Sequence, residues 1–201
     1  MNIKMILEPI RDVEVQLRTW DIELIKKYAQ QIKPNGCYLE IGTKYGGSAY
    51  LVRCSSDPSV KIWSIDPNPT LYMFKGEENN VGINWVKGRS TDIAKKWEYF
   101  DKFQNAVLIE GIKNVDMMID LLFIDGDHGE GVPTAPTDDF NAWEGFVNKG
   151  GIIIMHDYHP DYPAVVKASD KILETGRYEL IEKPPALASR QDTDMFIVRK
   201  L

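Results

Sequence analysis

Two short apolar runs in this 201-residue chain break off at the same kind of ending. Leu121-Leu122-Phe123-Ile124 runs into Asp125-Gly126-Asp127-His128. Gly150-Gly151-Ile152-Ile153-Ile154-Met155 runs into His156-Asp157-Tyr158-His159. Short apolar runs bounded by turn residues suit buried strands of a parallel sheet covered by helices. The chain has three histidines, and all of them stand at these two run ends. Ligands of open α/β sheets bind outside the carboxyl ends of the strands. The pattern therefore predicts one sheet with carboxylates and imidazoles gathered on a single edge.

The rest of the chain alternates in the same way. Asp21 to Ile32 carries Ile22, Leu24, Ile25, Tyr28, Ala29 and Ile32 near helical spacing, with Asp21 as N-cap and Pro34-Asn35-Gly36 as terminator. Cys37 to Ile41 reads as a strand, Gly42 to Gly47 as a glycine-rich turn, and Ser48 to Cys54 as the start of a helix. Val60 to Ile65 and Asn84 to Lys87 are further strands, and Thr91 to Phe103 a helix whose apolar face holds Trp97, Tyr99, Phe100 and Phe103. After the strand Leu121 to Ile124, a helix is expected over Asp138 to Val147, stopped by Asn148-Lys149-Gly150-Gly151. Ile152 to Met155 (strand), Ala164 to Glu174 (helix), Tyr178 to Glu182 and Met195 to Arg199 (strands) complete the series. Strands alternating with helices predict a doubly wound α/β fold with a mainly parallel sheet. The last two strands have no helix between them, so one is expected to run antiparallel at or near an edge. Residues 1–201 read as a single domain. The segment 1–20 fits no element and could serve as a lid or as an oligomer contact. Leu71 to Val81 and Gly129 to Pro136 read as insertions on the ligand edge. Trp85 and Trp143 read as core.

Composition narrows the function classes. A formal net charge of −6 argues against a nucleic-acid-binding surface, which needs clustered Lys and Arg. No apolar run approaches the ~20 residues that span a bilayer. Cys37 and Cys54 match no zinc pattern and read as free thiols, which fits a reducing cytoplasm, and no signal-peptide pattern opens the chain.

The loop Glu40-Ile41-Gly42-Thr43-Lys44-Tyr45-Gly46-Gly47-Ser48 joins a strand to a helix. Glycines there let the backbone approach a ligand, and the helix N-terminus offers free N–H groups. The spacing is E-x-G-x-x-x-G, not the G-x-G-x-x-G of dinucleotide sites. A carboxylate before the first glycine would repel a pyrophosphate and suit a ligand bearing an ammonium or a sulfonium. Asp66 ends the second strand, where an acid accepts hydrogen bonds from the ribose hydroxyls of a nucleoside ligand. Loop and acid together point to an adenosine-containing cofactor.

With these residues in place, the chain resembles the class I S-adenosylmethionine-dependent methyltransferases, whose Rossmann-like sheet has seven strands. The resemblance runs from Asp21 to Asp157 and includes the loop 40–48, Asp66, Gly88-Arg89-Ser90, Asp125 and His156-Asp157. It is narrower toward the metal-dependent catechol-type enzymes and toward sugar O-methyltransferases carrying IDGDH, present here as Ile124 to His128. The resemblance implies that Glu40, Gly42, Gly46, Gly47 and Ser48 form the methionine end of the cofactor site, with Ser48 at its carboxylate. It implies Asp66 at the ribose, Ser90 at the adenine, and Asp125 closing the methionine side.

It also implies a divalent metal on Asp125 and Asp157, both hard oxygen donors suited to Mg²⁺. Tyr158 follows Asp157 where the catechol type has an asparagine. That leaves the third position to His156 or water, and a histidine would favour Mn²⁺ or Fe²⁺. His128 stands at the offset where the catechol type has a lysine base and the sugar enzymes a histidine, which makes it the expected general base. Tyr158 and His159 could line an acceptor pocket, and Asp127 is expected to cap the turn after it. The implied reaction is methyl transfer to a hydroxyl of a small molecule, with no nucleic-acid or membrane partner and with homo-oligomerisation open. The competing readings are an NAD-dependent oxidoreductase and a non-catalytic cofactor-binding member of the fold.

Overall fold

Period-two alternation along the strands sorts the core into two halves, one on each face of the sheet. In the computed structural model, residues 17–70, 82–97, 118–184 and 193–201 are described. The strands are β1 (Cys37–Ile41), β2 (Lys61–Asp66), β3 (Asn84–Lys87), β4 (Ile119–Ile124), β5 (Val147–Met155), β6 (Tyr178–Glu182) and β7 (Phe196–Lys200). The helices are α1 (Thr19–Ala29), α2 (Gly47–Ser55), α3 (Ser90–Trp97), α4 (Ala135–Trp143) and α5 (Pro163–Glu174). Leu39, Ile41, Leu122, Ile124, Ile153 and Met155 join one core half, with residues of α3, α4 and α5. Tyr38, Leu121, Phe123, Ile152 and Ile154 join the other, with residues of α1 and α2. Every residue of β1 is buried, as a strand covered on both faces must be.

Trp97 ties the first half together. Its ring meets Trp63 of β2 edge-on at 5.2 Å and Trp143 of α4 at 5.1 Å, fixing two helices against the sheet. The core reading of Trp143 agrees with this packing, whereas Trp85 is only partly buried against the other half. Tyr99, Phe100 and Phe103 lie outside the described residues, as do residues 1–16 and 71–81.

The strand order is β3-β2-β1-β4-β5-β7-β6. β1 pairs in parallel with β2 and β4, β2 with β3, and β4 with β5. β7 runs antiparallel between β5 and β6, one place in from the edge, which fits the expectation from the missing crossover helix. The order reverses between β1 and β4, and the carboxyl ends of β1, β2, β4 and β5 share one edge there. This is the switch point where open α/β sheets bind ligands.

Some boundaries differ from expectation. Asp21 is not the N-cap of α1; Arg18 is, and Asp21 is the third helical residue, accepting the Arg18 N–H at 3.3 Å. The helix expected over Asp138 to Val147 begins earlier, at Ala135, because Pro136 suits the first turn. It ends at Trp143, passes through a 3₁₀ turn (Glu144–Phe146) and enters β5 at Val147. The Asn148-Lys149-Gly150-Gly151 stretch is therefore an irregular part of β5, with Gly150 at φ 81°, and not a helix stop. Periodicity missed it because the apolar Val147 fits either pattern.

Hydrogen bonds extend the sheet one residue past its strand ends. Asp125 N–H donates to Ile41 O at 2.9 Å, His156 N–H to Ile124 O at 3.0 Å, and Gly42 N–H to Ile65 O at 2.9 Å. The closest approach is at Gly42, with φ 97°, where a Cβ would stand 1.9 Å from the Asp125 carbonyl oxygen. Only glycine satisfies both the dihedral and the space. Gly42→Ala is expected to cost about 2–6 kcal/mol, the sum of a left-handed non-glycine residue and overpacking. Urea unfolding checks this, and a loss below about 1 kcal/mol would show that the β1–β4 junction yields easily.

Candidate active site

A cavity of about 700 Å³ opens at the switch point. Its floor is the β1–α2 loop, with Gly42, Gly47 and Ser48 lining it. Asp66 borders it from β2, Arg89 and Ser90 from the β3–α3 turn, Asp125 and His128 from the end of β4, and His156 and Asp157 from the end of β5. The sequence-predicted site residues thus converge, except that Glu40 and Gly46 sit behind the lining. Gly46 adopts φ 82° as the N-cap of α2. This leaves the Gly47 and Ser48 N–H groups in the first helical turn, without intrahelical acceptors.

Glu40 is fully buried beneath the loop. Its carboxylate accepts hydroxyl hydrogens from Ser64 at 2.6 Å, Ser48 at 2.8 Å and Tyr38 at 2.8 Å. Burial pushes its carboxyl up to about 7, against those three hydrogen bonds. Glu40 therefore braces the loop from below. Because Ser48 donates its hydroxyl hydrogen to Glu40, its donor toward the cavity is its backbone N–H. Asp66 accepts the Lys44 N–H at 3.0 Å and the Asn68 N–H at 2.6 Å, which holds its carboxylate at the cavity wall. Ser90 donates to Asp139 Oδ1 and accepts from Trp143 Nε1 at 3.1 Å, so its hydroxyl is engaged within the wall.

At the other end of the cavity the acids and histidines meet. His156 Nδ1 lies 3.0 Å from Asp125 Oδ1 and 3.2 Å from Asp157 Oδ2, while its Nε2 faces Asp21 Oδ2 at 3.6 Å. His128 Nε2 lies 2.8 Å from Asp157 Oδ2 and 3.6 Å from Asp125 Oδ1. Tyr162 packs on the His128 ring with 4.7 Å between centroids. Burial disfavours charge on His156, but the Asp125, Asp157 and Asp21 carboxylates hold its pKa well above the ordinary imidazole value. Asp125 and Asp157 push His128 up to about 9, again against burial. In return, the two histidines hold both aspartates below the usual carboxylate range despite desolvation. Asp157 occupies the left-handed region at φ 56°, which an aspartate tolerates better than most residues and which turns its carboxylate toward the cluster.

Asp125, His128 and Asp157 each bring one ligand atom, all within 4.8 Å of one another. The two carboxylate oxygens suit a divalent cation of the Mg²⁺ or Mn²⁺ kind, and the His128 imidazole stands within reach of them. His156 lies behind this set with both ring nitrogens facing carboxylates. Asp127 accepts the N–H groups of Gly129, Gly131 and Val132, so it caps the loop as expected.

Tyr158 and His159 do not line the cavity. Tyr158 stacks on Phe196 and donates to Asp170 at 2.9 Å, away from the site, because the left-handed turn at Asp157 reverses the chain. His159 accepts the Asp161 N–H at 3.2 Å. Sequence reasoning missed Asp21 and Asp139. Asp21 is buried at the His156 ring and accepts from Thr193 at 2.7 Å. No motif marks it, since His156 and Thr193 lie more than a hundred residues away along the chain.

The family relationship follows from this geometry together with sequence comparison. Residues 39–158 match the family model described as "Methyltransferase domain", a span holding every residue placed in the cavity above. The chain belongs to this methyltransferase-domain family. An uncharacterized protein of Acanthamoeba polyphaga mimivirus is 34% identical over 152 residues, which is 70% of this chain and 62% of that protein. The chain thus spans less than two thirds of that relative's length. Among solved structures it is similar in fold to an O-methyltransferase from Bacillus cereus in complex with SAH. That match has a TM-score of 0.63 and 13% identity and covers 99% of this chain and 90% of the other. It is likewise similar to the O-methyltransferase TomG from Streptomyces achromogenes, involved in tomaymycin synthesis and solved with SAM. There the TM-score is 0.61 at 15% identity, covering 99% of this chain and 88% of the other. At these identities the likeness is one of fold. Among the described residues, no helix is long and apolar enough to cross a membrane.

The charge cluster makes a titration prediction. In metal-free protein, His128 is expected to titrate near 9, above its ordinary 6.5. A raised folded-state value means that its ion pairs stabilise fully below about 6.5 and fade as pH rises through about 9. The depressed value of Asp157 means that its share is present above about 3.8 and is lost as pH falls below that. NMR titration of the imidazole checks this. Asp157→Asn is expected to bring the His128 midpoint down toward 6.5, and an unchanged midpoint would exclude Asp157 as its partner.

Proposed function

We propose that the protein is an S-adenosylmethionine-dependent O-methyltransferase acting on a hydroxyl of a small molecule, with a divalent cation at Asp125 and Asp157 and with His128 as general base. The observation that carries this reading is the meeting of Asp125, His128 and Asp157 in one cavity with the β1–α2 glycine loop. The cavity walls fit the cofactor. The loop backbone and the α2 N-terminus suit a carboxylate, and Asp66 stands ready as a ribose acceptor. S-adenosylmethionine supplies an electrophilic methyl group on a sulfonium. A divalent cation supplies positive charge that favours ionisation of a hydroxyl.

The chain's own residues do the rest. Asp125 and Asp157 hold the cation as hard oxygen donors, and His156, gripped by Asp21, Asp125 and Asp157, keeps their carboxylates in place. His128 accepts the acceptor's hydroxyl proton at Nε2 and passes it to solvent. With its pKa near 9 the imidazole is already protonated at neutral pH and cannot take a proton. A cation held by the two carboxylates beside it would neutralise them and lower that value, which would free Nε2 to take a proton. The buried Glu40 under the loop and the absence of G-x-G-x-x-G give a pyrophosphate no cradle, which disfavours the nicotinamide reading.

Transfer of a labelled methyl group to a panel of small hydroxylated acceptors tests the reading. EDTA is expected to stop turnover, and Mg²⁺ or Mn²⁺ to restore it. His128→Ala is expected to lower turnover by about 10²–10⁴-fold, the usual contribution of a general base, with cation and S-adenosylhomocysteine affinities retained. Loss of cation affinity in that variant would make His128 a ligand instead. Turnover that survives complete chelation would remove the metal.

A further inference from the structure

A smaller cavity, of about 210 Å³, lies at the opposite edge of the sheet, where β4 begins. It is bounded by the C-terminal end of α1, with Tyr28 and, just beyond the helix, Ile32 and Lys33, and by the Lys149-Gly150-Gly151 stretch of β5. The catalytic end of β4 is about 17 Å away, at ~3.3 Å per strand residue. Strand register explains the hollow. Ile119 pairs with Val147 and Leu121 with Ile152, so Asp120 alone faces the stretch Asn148 to Gly151. The surplus residues of β5 cannot all pair across, and the ladder is broken beside them. The two cavities share no lining residue.

The acceptors around this cavity are already engaged. Asp120 accepts the Cys37 N–H at 2.9 Å through Oδ2 and the Asn148 side-chain amide at 2.8 Å through Oδ1. The end of α1 is closed in the same way. Lys26 O accepts the Gln30 N–H, Lys27 O the Gln31 side chain, Tyr28 O the Gln31 N–H and Ala29 O the Ile32 N–H. The donors are not engaged. Tyr28 is 3% exposed, and its hydroxyl has no hydrogen-bond partner among the described residues. Lys33 and Lys149 border the cavity, and neither side chain makes an ion pair among the described residues. Arg199 adds a third cation, paired with Glu179 at 3.0 Å. A buried phenol hydroxyl usually finds a partner, and leaving it without one costs free energy.

We propose that this cavity binds a phosphate group, free or as a small monoester, whose oxygens accept hydrogens from the Tyr28 hydroxyl and from the Lys33 and Lys149 ammonium groups. A cavity whose acceptors are satisfied and whose donors are not calls for a ligand that accepts. Lys33, Lys149 and Arg199 line it against a single acid, Asp120, which sets the sign of that ligand. Two unpaired ammonium groups match the charge of a phosphate, close to −2 at neutral pH, and lysine is an established phosphate binder. The volume falls short of the roughly 300–1,000 Å³ of sites for drug-sized molecules, so a single headgroup fits where a nucleotide would not. The assignment stands apart from the methyltransferase reading and does not depend on it.

Amide NMR titration of the full chain with inorganic phosphate and with glycerol 3-phosphate, at an ionic strength held constant with sodium chloride, tests this. Saturable shifts centred on Lys33, Gly150 and Gly151 are expected. Tighter binding of the monoester identifies an organic phosphate as the ligand, and binding of inorganic phosphate at least as tight identifies the free ion. Tyr28→Phe is expected to weaken binding by about 10-fold or more, the range for a hydrogen bond to a charged group, and so is a Lys33→Gln, Lys149→Gln double variant. Without anion, Tyr28→Phe is expected to keep the wild-type urea midpoint, because the hydroxyl it removes has no partner to lose. A clear fall in that midpoint would show the hydroxyl to be engaged within the protein and would overturn the proposal. Wild-type protein that shows no saturable shift up to about 10 mM of either probe overturns it with no variant needing to fold. Shifts centred on Gly47 and Ser48 overturn it as well, since they put the anion at the α2 N-terminus in the larger cavity. So does a Tyr28→Phe protein that binds both probes as tightly as the wild type.

Discussion

The buried imidazole of His156 is the interaction on which the site depends. Asp21, Asp125 and Asp157 bring three carboxylates into a space with little water, and uncompensated charges there would cost several kcal/mol each. His156 touches all three, with Nδ1 toward the two strand-end acids and Nε2 toward Asp21. The carboxylates keep the ring charged, and the ring keeps the carboxylates charged. His128 extends the same arrangement to the cavity surface. Two adjacent strand ends therefore present acids that are ionised and fixed before any ligand arrives, which is what preorganised electrostatics requires.

The same cluster links distant parts of the chain. Asp21 belongs to α1 and also accepts from Thr193, while Arg18 pairs with Asp194 at 2.6 Å. Helix α1 is thus anchored both to the approach to β7 and to the catalytic edge. On the opposite flank, the tryptophan trio of Trp63, Trp97 and Trp143 packs α3 and α4 onto β2, and Trp143 reaches through Ser90 to Asp139. Core packing and cavity chemistry share residues, so the position of Asp139 is determined as much by an indole in the core as by its own helix.

Much of the fold was legible because strand ends are punctuated. Cys37–Ile41 and Asn84–Lys87 match their expected bounds, since glycines, prolines and acids mark both ends. The region after Trp143 was not legible, because Val147 and the Gly150-Gly151 pair suit a helix stop and an irregular strand equally well. Within the site, the acids and histidines at the ends of β4 and β5 stood out through their abrupt contrast with the apolar runs before them. Tyr158 and His159 belonged to the same contrast, yet they turn away, because the left-handed residue at Asp157 redirects the chain and periodicity carries no information about φ.

The sequence by itself determined which residue types stand at the strand ends, the glycine at position 42, and the alternation that makes a parallel sheet with helices on both faces. These are local properties: side-chain period, backbone permissiveness and turn chemistry act between near neighbours in the chain. Only the tertiary structure decided which oxygen is free and which is engaged. Glu40 lies under the loop and not in the cavity, His156 is clasped by a helix more than a hundred residues away, and Asp139 is tied through Ser90 to an indole of the core. Hydrogen-bond partnership is set by distances across the sheet edge, and those distances exist only once β1, β2, β4 and β5 are placed side by side.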